Sequence, residues 1–218
     1  MIVDTHLHTA EFSTDSHLPI ADAVARAREM GIDALCITDH NSLGPRRVVE
    51  RWQRELDFKL FIGVEVLSDR GDIICYGLNE APPIGIWTPD ELMVWVRMGG
   101  GCAIAVHPFR RRRGLGDRVK TLPGLDGVEC FNGCTSNEAN LRALAAVRES
   151  ERPLAILGGG DAHDVEDVGR FVTEFDGDLR DERDLIAAVR ERCCRPLAWD
   201  GRRFVDAETY CTGHKAAV

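Results

Sequence analysis

Along the chain, short unbroken apolar runs alternate with stretches in which apolar residues return every three or four positions. The runs mark strands covered on both faces, and the spaced stretches mark amphipathic helices. A strand opens the chain over 1–8. After a polar loop, a helix over 19–30 aligns Ile20, Val24, Ala27 and Met30, with Pro19 near its first turn and Gly31 as its stop. The same pattern predicts strands over 34–37, 60–66, 72–78, 102–106, 127–131, 154–157 and 171–175, and helices over 43–56, 88–98, 137–149 and 181–192. Thr88-Pro89-Asp90-Glu91 is a capped helix start, and Gly99-Gly100-Gly101 is its stop. Pro82-Pro83 reads as a loop, and the tail is expected to pack loosely at its end. There is no internal repeat.

Strand after strand ends in, or carries near its carboxyl end, His, Asp or Glu: His6 and His8, Asp39 and His40, Glu65, His107, and Asp161 and His163. Alternating strands and helices imply a parallel sheet, and in a (β/α) barrel the site lies at the carboxyl ends of the strands. An open doubly wound sheet gathers its ligands at one switch point instead. Contributions from nearly every strand favour barrel-like closure.

His6 and His8 stand two apart on a strand, so both rings face one point. Five of the seven histidines sit at strand ends. Buried as ordinary core residues, each would need its own hydrogen-bonding partner and would have no reason to sit beside carboxylates. His17 reads as a solvated loop residue, and His214 in the tail has no expected role. Imidazoles mixed with carboxylates suit zinc, iron or manganese, and a carboxylate such as Glu65 can bridge two ions ~3.5–4 Å apart, as in two-metal hydrolytic sites.

Composition narrows the classes. A chain of 218 residues with 44% hydrophobic and 29% charged residues has the usage of an ordinary globular protein and is expected to form a single domain over 1–218. Its apolar runs are too short to span a bilayer and no basic leader opens it, so a cytoplasmic location and no membrane partner are expected. The net charge of −9 argues against stable duplex nucleic-acid binding, although Arg110-Arg111-Arg112-Arg113 is a local basic patch able to hold a phosphate. Of the eight cysteines, Cys36, Cys75, Cys102 and Cys130 sit in apolar runs and read as small buried hydrophobes. Cys134 lacks partners at zinc-site spacing, and Cys193-Cys194 continues a helical pattern, so no thiolate site is expected.

The motifs His6-x-His8, Thr38-Asp39-His40, Gly63-Val64-Glu65, His107-Pro108, Glu129-x-x-Asn132 and Asp161-Ala162-His163 occur in an order that resembles the polymerase and histidinol phosphatase (PHP) superfamily, over roughly residues 1 to 170. The resemblance implies an α/β fold, a distorted seven-stranded (β/α)7 TIM-like barrel, and two or three divalent transition-metal ions (Mn, Zn or Fe) that hydrolyse phosphoesters. It implies that His6, His8, Glu65 and Asp161 hold a first ion, that Glu65 bridges to a second held by His107, and that Asp15, His40 and His163 hold a third. Where many members carry a histidine before the Ile73-Ile74-Cys75-Tyr76-Gly77 strand, this chain has Asp72, either a carboxylate ligand of the second ion or the mark of a weakly held one. Arg110 is placed to pair with a phosphate oxygen. Glu129 and Asn132, with Asp39 and Asn41, read as hydrogen-bonding support, and Asp4 as an orienter of the opening histidines. The implied substrate is a small phosphomonoester, a nucleotide phosphate or a short oligonucleotide. Hydrolysis of C–N or C–O bonds, and a metal-binding module without catalysis, are the competing functions.

Overall fold

The unbroken apolar runs become strands buried on both faces: β1 (Ile2–Leu7), β2 (Ala34–Ile37), β3 (Lys59–Leu67), β4 (Asp72–Tyr76), β5 (Cys102–Ala105), β6 (Gly127–Asn132) and β7 (Ala155–Gly159). They are followed by β8 (Phe171–Phe175), β9 (Cys194–Trp199) and β10 (Phe204–Asp206). In the computed structural model, which describes residues 1–213, these form one curled sheet in the order β10-β9-β8-β1-β2-β3-β4-β5-β6-β7. Helices α1 (Ile20–Met30), α2 (Val49–Leu56), α3 (Pro89–Met98), α4 (Asn137–Arg148), α5 (Glu182–Glu191) and α6 (Ala207–Gly213) accompany it. Residues 214–218, His214 and the end of the tail among them, lie outside the described residues. No helix among the described residues is long and apolar enough to cross a membrane.

The helix ends follow local chemistry. Gly31 closes α1 in the left-handed region at φ 74°. Thr88 and Glu91 form a capping box at the start of α3, and Ser136 and Asp181 accept main-chain N–H bonds at the starts of α4 and α5. The buried face of α1, from Ile20 to Met30, packs on Leu7, Leu35, Ile37 and Ile62.

Strands β1 to β7 wrap round so that the chain following β7 returns to β1. β8 takes one half of the free edge of β1, pairing antiparallel with Ile2 and Val3. The other half is closed by the segment after β7, where Asp161 N–H donates to His6 O (2.7 Å) and His8 N–H donates to Ala162 O (2.9 Å). Between these halves Thr5 Oγ1 donates to Gly158 O (3.0 Å), and the buried Asp4 carboxylate accepts from the N–H groups of His6 (3.2 Å), Gly160 (2.8 Å) and Gly169 (2.9 Å). Glycines are needed here because a Cβ on Gly159 would meet His6 Cβ at 2.7 Å and one on Gly160 would meet Asp4 Oδ2 at 2.6 Å. The fold is a distorted TIM-like barrel, not an open doubly wound sheet.

The sequence pattern misses some of this. β4 runs antiparallel to both β3 and β5, so the sheet is not wholly parallel; the turn from β3 to β4 is too short for a crossover helix. The helix expected over 43–56 is a 3-10 turn, Gly44–Arg47, followed by α2, and the two are separated at Val48, whose backbone (φ −123°, ψ −8°) leaves the helical region. Cys193-Cys194 is not helical: α5 closes on Arg192 at φ 59°, and Cys194 begins β9, paired with Phe175. The chain up to Gly213 is well tied, with Arg148 reaching both carboxylate oxygens of Glu208 on α6 at 2.8 and 2.7 Å.

Asp4→Ala leaves three buried N–H groups at the barrel seam without an acceptor. A loss of about 3 kcal/mol in unfolding free energy is expected, at roughly 1 kcal/mol or more per orphaned donor, read from urea denaturation of the metal-free protein.

Candidate metal centre

All nine side chains expected as ligands converge at one end of the barrel. His6 and His8 project from the end of β1, Glu65 from β3, Asp72 from the start of β4, His40 from the turn after β2, His107 from the turn after β5, and Asp161 and His163 from the turn after β7. The antiparallel β3–β4 pair brings Glu65 and Asp72 to the same end because Asp72 pairs with Leu67 just beyond the turn. Three turns hold non-glycine residues at positive φ: Asn41 (52°), His107 (33°) and Asp161 (53°). Such backbone is costly and is found where surrounding structure holds a functional side chain in place.

Four ligand atoms define a first point. His6 Nε2 and His8 Nε2 are 3.1 Å apart, His6 Nε2 lies 3.3 Å from Asp161 Oδ1 and 3.6 Å from Glu65 Oε2, and His8 Nε2 lies 3.4 Å and 3.2 Å from the same two oxygens. Ligands held ~2.1 Å from a tetrahedral ion stand ~3.4 Å apart, so the spacing fits a transition metal between them. The remaining His6 nitrogen, Nδ1, sits 2.9 Å from Glu129 Oε1, an orienting partner of the kind metal-binding histidines use. Glu129 Oε2 also accepts from His107 N–H (3.2 Å) and Asn132 Nδ2 (2.8 Å).

Glu65 turns its other oxygen to a second group: Oε1 is 3.2 Å from His107 Nε2, which is 3.9 Å from Asp72 Oδ2. A third group joins His40 and His163 to His8. His40 Nδ1 is 3.0 Å from Glu65 Oε2, while Asp15 Oδ2 is 3.2 Å from His40 Nε2 and 3.9 Å from His163 Nε2. His163 Nδ1 faces Asp161 O at 2.9 Å, which leaves Nε2 to the centre.

The donors fit ions better than they fit one another. Glu65 Oε2 is buried without a directed hydrogen bond although three ring nitrogens lie within 3.6 Å of it, and Asp72 Oδ1 is likewise buried without a partner. Burial opposes ionisation of Glu65 and Asp161, yet His6 with His107 and His40 holds Glu65, and His6 with His8 holds Asp161, well below the usual carboxylate range. Burial likewise opposes charge on His6, but Asp161, Glu129 and Glu65 raise it well above its ordinary value; His8, bonded to Asp161 and Glu65, rises to about 9. Burial and the charge of Glu65 push Asp72 up to about 6. His6 and His8 are thus held toward their protonated forms by the same carboxylates that would face a divalent cation.

The arginine run is split by its turn. Arg110 Nη2 pairs with Asp161 Oδ2 and donates to Asn132 Oδ1 (2.9 Å), and Arg113 Nη1 lies 3.6 Å from Asp72 Oδ2. Both line a cavity of about 200 Å³ with Asp15, His40, Glu65, Asp72, Asp161 and His163, whereas Arg111 and Arg112 are exposed outside it. Arg112 at φ 86° turns the run, and Gly114 is pressed against Pro108 O with no room for a Cβ. Asp4 does not orient an imidazole; it holds main chain at the seam. Asn41 donates its N–H to Glu65 O (2.8 Å), and His17 is exposed.

The PHP domain family model matches residues 4–109, and a PHP-associated model matches residues 137–194. An uncharacterized protein of Methanocaldococcus jannaschii is 34% identical over 142 residues, 61% of this chain and 82% of its own. The chain belongs to the PHP family. Among solved structures similar to this PHP protein, PsfC from Pseudomonas syringae has a TM-score of 0.69 at 20% identity, with 92% of each chain covered. A two-domain protein of Bacteroides vulgatus containing a predicted PHP-like metal-dependent phosphoesterase has a TM-score of 0.68 at 18% identity, with 91% of this chain and 64% of that chain covered. At 20% and 18% identity, these likenesses concern the fold of this PHP protein.

Because a divalent ion must displace the protons on His6 and His8, metal affinity is expected to rise with pH up to about 9, by roughly tenfold per pH unit for each proton released. Calorimetric titration in buffers of different ionisation enthalpy reads the protons released. A metal affinity that does not change between neutral pH and about 9 contradicts it.

Proposed function

We propose that this PHP protein hydrolyses phosphoesters of small substrates, a phosphomonoester, a nucleotide phosphate or a short oligonucleotide, at a site of two or three divalent transition-metal ions (Mn, Zn or Fe). The observation that carries the reading is Glu65, a buried carboxylate with Oε2 among the first and third groups and Oε1 on His107 of the second. His6, His8, Asp161 and Glu65 would hold one ion, Glu65, His107 and Asp72 a second, and Asp15, His40 and His163 a third. Bound there, such ions would act as Lewis acids toward phosphoryl oxygens and lower the pKa of water toward ~7.

The chain's own residues supply orientation and charge. Glu129 fixes the His6 ring so that Nε2 faces the centre. Arg110 and Arg113 both line the cavity, beside Asp161 and Asp72, where guanidinium groups would pair with the non-bridging oxygens of an entering phosphate. A pair of arginines at the mouth favours an anionic phosphoester over an amide or carboxylic ester as substrate. The complete ligand set, with Glu129 behind it, favours catalysis over passive metal storage.

Glu65→Gln is expected to cost more than the loss of any singly coordinating ligand, roughly 10²–10³-fold in kcat with loss of bound metal, because one amide cannot serve two cations. Steady-state kinetics on phosphomonoesters and phosphodiesters, with elemental analysis, check this; normal values for both would remove Glu65 from the site. Arg110→Ala is expected to lower kcat/KM for phosphoesters roughly 10- to 100-fold, as befits ~1.5–3 kcal/mol from hydrogen bonds to a charged group, with metal content unchanged. Equal turnover by the variant would place the arginine outside the substrate contacts.

A further inference from the structure

Asp15 comes from no strand or helix; it lies at the exposed crest of the loop between β1 and α1. Its carboxylate nonetheless stands 3.2 Å from His40 Nε2 and 3.9 Å from His163 Nε2. A half-exposed side chain on a loop is placed only as well as the loop is held. Two buried serines flank it. Ser16 Oγ donates to His8 O (2.6 Å) and lies 3.2 Å from His163 O, and Ser13 Oγ donates to Asp39 Oδ1 (2.8 Å).

Asp39 is fully buried at the end of β2 and stands outside the three candidate ligand groups. Its carboxylate takes three donors: Thr9 N–H at 2.6 Å, Thr9 Oγ1 at 2.8 Å and Ser13 Oγ. Ser13 Oγ in turn accepts from His40 N–H at 3.2 Å. Thr9 follows His8 directly, and Asp39 precedes His40, so one carboxylate ties together the main chain beside two ligands and the loop that carries a third. Burying a charge is expensive unless donors surround it. A carboxylate can receive all three of these donors on two oxygens, whereas an asparagine has one acceptor oxygen.

We propose that Asp39 is the positioning residue of the third-ion site: by clasping Thr9 and Ser13 it sets the loop that presents Asp15 to His40 and His163, and so governs how tightly that ion is held. This rests on the reading of Asp15, His40 and His163 as ligands. This differs from support of the His40 ring, since the bonds of Asp39 go to Thr9 and Ser13 on the loop that carries Asp15.

The test compares Asp15→Ala, Asp39→Ala, Asp39→Asn and Ser13→Ala by manganese and zinc titration of metal-stripped protein, with elemental analysis after dialysis. Asp15→Ala should lose one ion and keep the pair bridged by Glu65; retention of every ion by this variant overturns the ligand reading itself. Asp39→Ala should keep the pair and weaken the remaining ion roughly 10- to 100-fold, the range for loss of a group that orients a ligand. Asp39→Asn should fall between that variant and the parent, because its one acceptor oxygen retains part of the clasp. Ser13→Ala, which cuts a single bond of the clasp, should weaken the same ion by less than Asp39→Ala, and it decides the matter if Asp39→Ala does not fold. If Asp15→Ala loses an ion while Asp39→Ala and Ser13→Ala hold all ions with the parent's affinity, the positioning role of Asp39 is overturned. Equal weakening of all ions by Asp39→Ala also overturns it, since a general structural defect would do that.

Discussion

Glu65 is a carboxylate held almost wholly out of solvent, with its charge stabilised by the histidines around it. Asp161 and Glu129 are buried close by, and so many acidic groups can share so small a volume only if positive charge comes among them. In the chain itself that charge comes from His6 and His8, both raised by the surrounding carboxylates, and from Arg110. The rest of the structure meets this requirement. Six strands aim their ends at one point, glycines let the strand ends approach, and a loop folds back over the mouth. The seam of the barrel also passes through this point, since His6 and His8 offer their main chain to Asp161 and Ala162 while their rings face the centre. Closure of the barrel and assembly of the site are therefore one event.

Most of this was legible in the sequence because it is local. The apolar runs are short and bounded, and the residue after each run is the residue at the strand end, so the side chains that meet at the centre could be named before their distances were known. Caps such as Thr88 and stops such as Gly31 are equally local. What escaped was set by distant partners. β9 and β10 exist because β8 offers an edge, and nothing within Cys193-Cys194 says that the helix has ended. The direction of β4 depends on a turn of four residues between two strands, which an alternating pattern of apolar residues does not report.

The arginine run shows the same limit at finer grain. Four identical residues in a row carry no information about which of them faces inward. The turn decides, through Arg112 in the left-handed region and Gly114 lying against Pro108, and it sends Arg110 and Arg113 toward the cavity. Asp4 and Asp39 are a similar case. Asp4 stands two residues before His6 and Asp39 directly before His40, which suggested support of a ring, yet Asp4 accepts from the main chain of His6, Gly160 and Gly169, and Asp39 from Thr9 and Ser13. The nearest neighbour along the chain was not the nearest in space.

The way the sheet ends has a consequence for how the protein behaves in a crowded solution. A curled sheet has two terminal strands, and each is a template on which another chain can grow. Here β7 is turned back against β1 and hidden by the seam, so the remaining terminal strand is β10, only three residues long, with α6 beginning at once after it. So short an edge offers a foreign strand too few unpaired groups to bind. The antiparallel extension that looks like an ornament on the barrel thus serves as its guard against self-association: it covers the half of β1 left over by the seam and finishes the sheet with almost no edge.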